Sequence, residues 1–234
     1  MLRNIGTIEA AKEVVENAPL VPAWEAKFRE EAIVRTVHHG THIEGNGLNF
    51  TEAEKVLAGA QIVGRDRDIQ EVLNYRNVIT FIETFDRNDV TEDVLKHLQE
   101  LTTYRILPEE ASGQYRRSQV VIKNSQTGEI TFRPPPALEV PFLVADFLLW
   151  FNGVQADDVH PVIKAGITHY ELVRIHPFLD GNGRVSRAMA LLTLFREGYD
   201  VKRFFSLEEH YDREPMNYYG ALQSVAQMEG NQTA

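Results

Sequence analysis

Two stretches of helical apolar period meet at a glycine-containing junction, and that junction constrains the chain more than any other feature. It reads His176-Pro177-Phe178-Leu179-Asp180-Gly181-Asn182-Gly183-Arg184-Val185-Ser186-Arg187. Upstream, Pro161 can open a helix whose Val162, Ile163, Gly166, Ile167, Tyr170 and Val173 recur at helical spacing. Downstream, Val185, Ala188, Met189, Leu192 and Phe195 recur at three- and four-residue steps, with Gly198 as the stop. Gly181, Asn182 and Gly183 therefore fall at a helix N-terminus. Free backbone N–H groups and the positive end of the helix dipole converge there, and glycine lets a bulky anion approach the backbone. A phosphate would be held at that point. Arg184 and Arg187 lie one turn apart, so both can reach the same anion with planar donor forks. Asp180 offers a hard oxygen suited to a magnesium ion bridging phosphates, but one carboxylate is insufficient to hold the ion without them. His176 carries an imidazole that titrates near neutrality and can take a proton from an attacking hydroxyl.

Singly, these residues have ordinary explanations, since glycines make turns, arginines face solvent and a lone histidine packs. Their coincidence within twelve positions argues for chemistry on a phosphate. No Gly-Lys-Ser/Thr follows the glycines and no strand precedes them, which rejects a Walker A loop and a dinucleotide fingerprint. The segment resembles the signature of the Fic family, His-Pro-Phe-x-Asp/Glu-Gly-Asn-Gly-Arg-x-x-Arg, at every specified position. Gly113-Gln114-Tyr115-Arg116, the strand from Val120 to Ile122, Pro134 to Pro136 and the Tyr218-Tyr219 pair also look like features of that family.

The resemblance implies an all-α Fic-type helical domain with a small β-hairpin flap, occupying residues 1–234 as a single unit. Within it, an inhibitory helix would span about 22–45, the flap about 119–134, and the catalytic loop with its helix 176–197. The activity implied is protein adenylylation, in which a Ser, Thr or Tyr hydroxyl of a target protein attacks the α-phosphate of ATP and pyrophosphate leaves. His176 would be the base, and Asp180 would hold Mg2+, with Mn2+ as the alternative ion. Gly181, Asn182 and Gly183 would form the anion hole, while Arg184 and Arg187 would grip the β- and γ-phosphates. Tyr218 would line the adenine pocket. Thr131, Phe132 and Arg133 would contact the target through the flap edge, a form of strand addition. The resemblance also leaves room for self-modification, for removal of AMP by the same site, and for a catalytically silent nucleotide-binding module.

A second segment, Gly40-Thr41-His42-Ile43-Glu44-Gly45-Asn46, resembles the family's inhibitory motif. A helix beginning after Pro22 carries Trp24, Phe28, Ala32, Ile33 and Val37 near one face, and Gly45, Asn46 and Gly47 end it. Glu44 then falls in the last turn, where the helix dipole disfavours a carboxylate, so a cationic partner is expected elsewhere in the fold. The resemblance names Arg187. Glu44 would hold that arginine away from the γ-phosphate. An exposed pair worth roughly 0–1 kcal/mol would be a poor switch, whereas breaking a buried one costs about 3–5 kcal/mol. The reading therefore requires burial. Relatives usually carry Ser or Thr four residues before the glutamate; here that position is Gly40, and Thr41 follows it.

With 234 residues and 43% hydrophobic content the chain can bury a sizeable core, and no linker-like run interrupts it. A net charge of -10 argues against nonspecific nucleic-acid binding. The absence of cysteine excludes disulfides and thiolate zinc sites and is compatible with a reducing cytosol. Neither a leader peptide nor a bilayer-spanning apolar run is evident, so the expectation is a soluble, cytoplasmic protein without membrane partners. Self-association is common among Fic relatives, and many continue into a further domain, so this chain could be a piece of a longer one. Elsewhere, Thr51-Glu52-Ala53-Glu54 reads as a capping-box start, and two apolar stripes run through Ile69 to Phe85 and Val94 to Leu101. Val120-Val121-Ile122 and Ile130-Thr131-Phe132 form the expected hairpin, joined through Asn124 and Gly128. His38, His39 and His42 have spacing open to metal ligands but lack the HExxH arrangement, and His169 is expected to pack or hydrogen-bond within the core.

Overall fold

The helix that follows the glycines is buried on nearly all sides, and the rest of the chain wraps it. The computed structural model describes residues 2–86, 89–123 and 127–232, with side chains described through residue 225. In chain order the helices are α1 (Leu2–Asn17), α2 (Pro22–His42), α3 (Phe50–Leu57), α4 (Asp66–Thr84) and α5 (Glu92–Thr103). A two-strand antiparallel hairpin follows, β1 (Ile122–Lys123) and β2 (Ile130–Phe132). Then come α6 (Val140–Phe151), α7 (Val154–Asp157), α8 (Pro161–Ile175), α9 (Asn182–Arg196), α10 (Leu207–Arg213) and α11 (Pro215–Gln232). The domain is all-α with a small hairpin, as expected.

Val185, Ala188, Met189, Ala190, Leu192 and Leu194 bury different faces of α9 against α8, α4, α5 and α2. Each fully buried large aliphatic contributes roughly 1.5–3 kcal/mol, which fixes α9 firmly in the core. Its first turns also bury Asn182, Arg184, Ser186 and Arg187, so the polar loop end is held in a core environment. Tyr75, Val78 and Ile79 of α4 and Leu95 and Leu98 of α5 belong to the same core cluster. Pro161 does open α8, where the His160 imidazole accepts from the Val162 N–H at 3.3 Å. Among the described residues no helix is long and apolar enough to cross a membrane.

Three local expectations need correction. The capping box of α3 is made by Asn49 with Glu52, each side chain bonding the other's backbone N–H at about 3 Å, rather than by Thr51 with Glu54. The α2 helix stops at His42, so Glu44 lies in the following turn, where Gly45 takes φ +91°. Val120 and Val121 stay outside the ladder, which pairs Ile122 with Phe132 and Lys123 with Ile130 across an irregularity. Continuing it would bring Pro134, Pro135 and Pro136 opposite, and proline has no N–H to give. Asn124 of the expected turn lies outside the described residues, while Gly128 takes φ +72°. The histidine run, whose spacing left metal ligation open, is a carboxylate clasp. His39 and His42 bond Asp212 at 2.7 and 2.8 Å, His38 stacks on His42, and among the described residues no three His or acidic groups form a metal cluster.

Candidate active site

His176 caps α8 in the left-handed region (φ 51°), a conformation unfavourable for a residue with a Cβ that persists only where the surroundings enforce it. Arg116 enforces it. Its buried guanidinium donates to the carbonyls of His176 (2.8 Å), Pro135 (2.6 Å), Ser118 (3.3 Å) and Ile175 (3.4 Å), and its backbone N–H bonds Pro177 O at 2.9 Å. Tyr115 adds a bridge and a ring contact to Phe178. The loop is closed from inside by Asn182, whose amide donates to Phe178 O and accepts from Phe178 N–H, both at 2.8 Å. Gln99 of α5 donates to Asp180 O at 3.2 Å and accepts from the Gly113 N–H. The loop is thus preformed by groups whose donors and acceptors are committed to it.

His176 Nδ1 faces Val173 O at 3.4 Å. A carbonyl only accepts, so the proton sits on Nδ1 and the Nε2 lone pair is left available. Burial holds the imidazole below its ordinary pKa against the opposing pull of Val173 O, which keeps it an unprotonated base at neutral pH. The histidine lines a cavity of about 740 Å3 with Glu44 and Gly183, Thr131 and Phe132 from the hairpin, and Tyr218 and Tyr219 from α11. Arg133 is not among its lining residues.

Glu44 and Arg187 form an ion pair. Arg187 Nη2 bonds Glu44 Oε1 at 2.8 Å and Gly40 O at 2.9 Å, and Nη1 reaches Tyr218 Oη at 3.5 Å. The Arg187 side chain is 1% exposed and that of Glu44 31%, so the pair is buried on one side and open to the cavity on the other. Burial pushes the Glu44 carboxyl up, but Arg187 and Arg184 outweigh it and hold it below the ordinary range. A Cβ at Gly183 would collide with Glu44 Oε1, which puts this carboxylate against the first turn of α9, where an anion is most favoured. Gly40 is closely walled in. A Cβ there would strike the Tyr75 ring and the buried Glu208, and the Gly40 carbonyl itself serves Arg187.

The two loop arginines do not converge in this state. Arg184 points to Glu71, 3.3 Å from Oε1, and to Asp180 Oδ1 at 3.5 Å, with its side chain 3% exposed. Arg184 Nε and Arg187 Nε are buried without hydrogen-bond partners, while Arg184 Nη1 has only its ion pair with Glu71. Buried donors left unpaired are costly, and both belong to the first turns of α9. Asp180 also accepts from Arg67 Nη2 at 2.9 Å. Among the described residues Asp180 is a hard oxygen with no other His or acidic group forming a cage, a donor set that fits Mg2+ arriving with a polyphosphate. Tyr218 presents its ring to the cavity while its hydroxyl lies between Arg187 and His169 Nε2 (2.9 Å). Burial, then Arg187, pushes His169 down to about 3, so it is a neutral core group. Arg67, Glu71 and the clamping role of Arg116 were not read from sequence. Arg67 and Glu71 look like an ordinary i,i+4 surface pair, and nothing in their spacing points to a loop over a hundred residues away.

A family model described as Fic/DOC family matches residues 89–194, a span that includes the loop but not Glu44. The chain is 31% identical over 201 residues to a protein adenylyltransferase Fic of Drosophila grimshawi, covering 84% of this chain and 40% of that one. It is 29% identical over 197 residues to the protein of the same name from Culex quinquefasciatus, covering 82% and 38%. A crystal structure of a Fic family protein from Desulfovibrio desulfuricans G20 superposes with a TM-score of 0.80 at 29% identity, covering 97% of this chain and 66% of that one. The chain thus spans 40% or less of the length of these two curated relatives.

Proposed function

From the Fic/DOC-family domain that this chain carries, we propose that the protein transfers AMP from ATP to a hydroxyl side chain of a target protein and is held in check by Glu44. The observation that carries the reading is the His176 loop itself: a base with a free Nε2 opens on the same cavity as Gly183 in the first turn of α9 and Glu44, the carboxylate paired with the buried Arg187. The target oxygen forms a bond to the α-phosphorus as the bond to the bridging oxygen breaks and pyrophosphate departs. His176 Nε2 takes the hydroxyl proton. The backbone N–H groups at Gly181 to Gly183 face the phosphate charge, and Arg184 and Arg187 turn from their carboxylates to the β- and γ-phosphates. Asp180 would hold Mg2+, which supplies charge neutralisation along the polyphosphate when bound. Tyr218 and Tyr219 wall the adenine side, and Thr131 and Phe132 of β2 receive the target backbone.

Glu44 opposes this in two ways. It occupies Arg187, and its carboxylate stands against Gly183, where it repels an incoming phosphate. The acidic surface, with net charge -10, supports protein rather than nucleic-acid targets, and the lack of cysteine fits a cytoplasmic setting. The test is covalent AMP on proteins of a lysate, read by mass, after incubation with ATP, Mg2+ and Glu44→Gly protein. The expected result is adducts with Glu44→Gly and none with Glu44→Gly/His176→Ala. Adducts that survive loss of His176, or none in either case, would refute it.

A further inference from the structure

Glu44 and Asp180 serve opposite purposes at the loop, yet one buried carboxylate reaches toward both. Glu71 of α4 is 6% exposed. Its Oε2 accepts from Asn46 Nδ2 at 3.0 Å, while Oε1 accepts from Arg67 Nε at 3.1 Å and lies 3.3 Å from Arg184 Nη1. Both arginines continue to Asp180, Arg67 to Oδ2 and Arg184 to Oδ1. Asn46, two residues after Glu44, is itself buried. Its Nδ2 also donates to Asp68 O at 2.9 Å, its Oδ1 accepts from Leu48 N–H at 3.1 Å, and its backbone N–H returns to Thr41 O. The turn that carries Glu44 is therefore pinned on α4 through Asn46.

The charges explain why this hub matters. Glu71 and Asp180 balance Arg67 and Arg184 within one cluster. A guanidinium drawn to a phosphate has to leave these carboxylates, and a buried charge left alone is unfavourable. An Arg67–Glu71 pair on its own would be a helix-surface contact of little consequence. Here, however, Asn46 and Arg184 arrive from two other elements, so the same oxygens fix the inhibitory turn and the phosphate-facing arginine.

We infer that Glu71 is a positioning residue that couples the inhibitory turn to the phosphate loop, setting through Asn46 where Glu44 sits and through Arg184 and Arg67 how Asp180 and the guanidinium meet a nucleotide. The inference rests on the transferase reading of the His176 loop and the inhibitory reading of Glu44. Removing the Asn46 amide should loosen Glu44 without disturbing the loop. Removing the Glu71 charge should do this and also misplace Arg184.

The experiment places Asn46→Ala and Glu71→Gln in the wild-type chain and in Glu44→Gly. It measures AMP-transfer kinetics, affinity for a fluorescent ATP analogue, and hydrogen exchange of backbone amides 43–48. Asn46→Ala is expected to raise transfer roughly five- to thirty-fold when Glu44 is present and no more than about twofold when it is absent. In the Glu44→Gly background, Glu71→Gln is expected to raise KM for ATP roughly tenfold with kcat within about threefold, and Glu71→Asp to recover part of the loss. Both primary variants should speed exchange of the turn amides. Equal stimulation by Asn46→Ala in both backgrounds, an unchanged KM in Glu71→Gln, or unchanged exchange in both variants would overturn the inference. If Glu44→Gly transfers no AMP at all, the transferase reading fails. Exchange and analogue affinity then still decide the coupling, which stands if both shift as stated and falls if either does not.

Discussion

Replacing Glu44 with Gln keeps the side-chain shape and removes only the charge facing Arg187. The structure brackets the effect. For a fully buried pair, loss of one partner costs about 3–5 kcal/mol, and for an exposed pair the worth is about 0–1 kcal/mol. Arg187 is at the buried limit, but Glu44 keeps 31% of its side-chain exposure, and Gly40 O still accepts from Arg187 after the change. The expected release is therefore intermediate, about 1–3 kcal/mol, which at about 1.4 kcal/mol per decade is roughly five- to hundred-fold in the population able to bind ATP productively. The assay is the initial rate of AMP incorporation at subsaturating ATP, wild type against Glu44→Gln, with Glu44→Gly as the fully released reference. The sign with pH follows from the carboxyl being held below its ordinary value of 4.5. The pair's stabilisation is fully present above that value and is lost only as pH falls through the lowered one, so no release is expected between neutrality and about pH 5. A Glu44→Gln rate within about twofold of wild type would refute the assignment of the pair as a switch, because only a solvent-like pair is worth so little.

Other consequences are independent of that switch. In Glu44→Gly, the acid limb of kcat/KM should lie below 6.5, because burial lowers the His176 pKa and the base stays free at lower pH; a limb at or above 6.5 would remove His176 as an unprotonated buried base. Burial pushes the Glu208 carboxyl above 4.5, so between that value and the raised one the folded protein keeps a proton that the unfolded chain loses, and stability falls as pH rises. Glu208→Gln, which has no proton to lose, should then raise the melting temperature by an increment that widens as pH rises from 4.5 toward the raised value, and an increment that shrinks or stays constant from pH 4.5 upward would contradict this. Arg116→Ala strips donors from four carbonyls and should lower unfolding free energy in urea by about 3–5 kcal/mol; a loss under about 1 kcal/mol would mean the clamp is not what enforces the His176 conformation.

The site was legible wherever its chemistry is contiguous in sequence. Base, acid, glycines and arginines fall within one loop and the first turns of α9, and the flanking periods of α8 and α9 are regular enough to place them. The same held for α4 and α5. By contrast, α1, none of whose residues is fully buried, was not read from the sequence. In α6, Val-Pro-Phe-Leu-Val-Ala-Asp-Phe-Leu-Leu-Trp-Phe is apolar on both faces, leaving Phe142 and Leu149 exposed, so no period marks which side is buried. Glu44 could be given a need for a cation, but its partner on α9 came from resemblance rather than from pattern. Arg184 shows the limit most clearly. One turn from Arg187, it is placed by spacing to share an anion with it, yet the carboxylates of Glu71 and Asp180 draw it the other way. That competition depends on a residue of α4 that no local spacing connects to the loop.

Adenylyl transfer is distinguished from every other use of this loop by which phosphorus stays on the protein. Glu44→Gly should be incubated with Mg2+ and ATP labelled either at the α-phosphate or at the γ-phosphate, and the label followed into protein and into released pyrophosphate. The geometry at His176 and the N-terminus of α9 predicts stable incorporation of the α-label and appearance of the γ-label only in pyrophosphate. Incorporation of the γ-label, or no incorporation of either with ATP bound, would contradict the account.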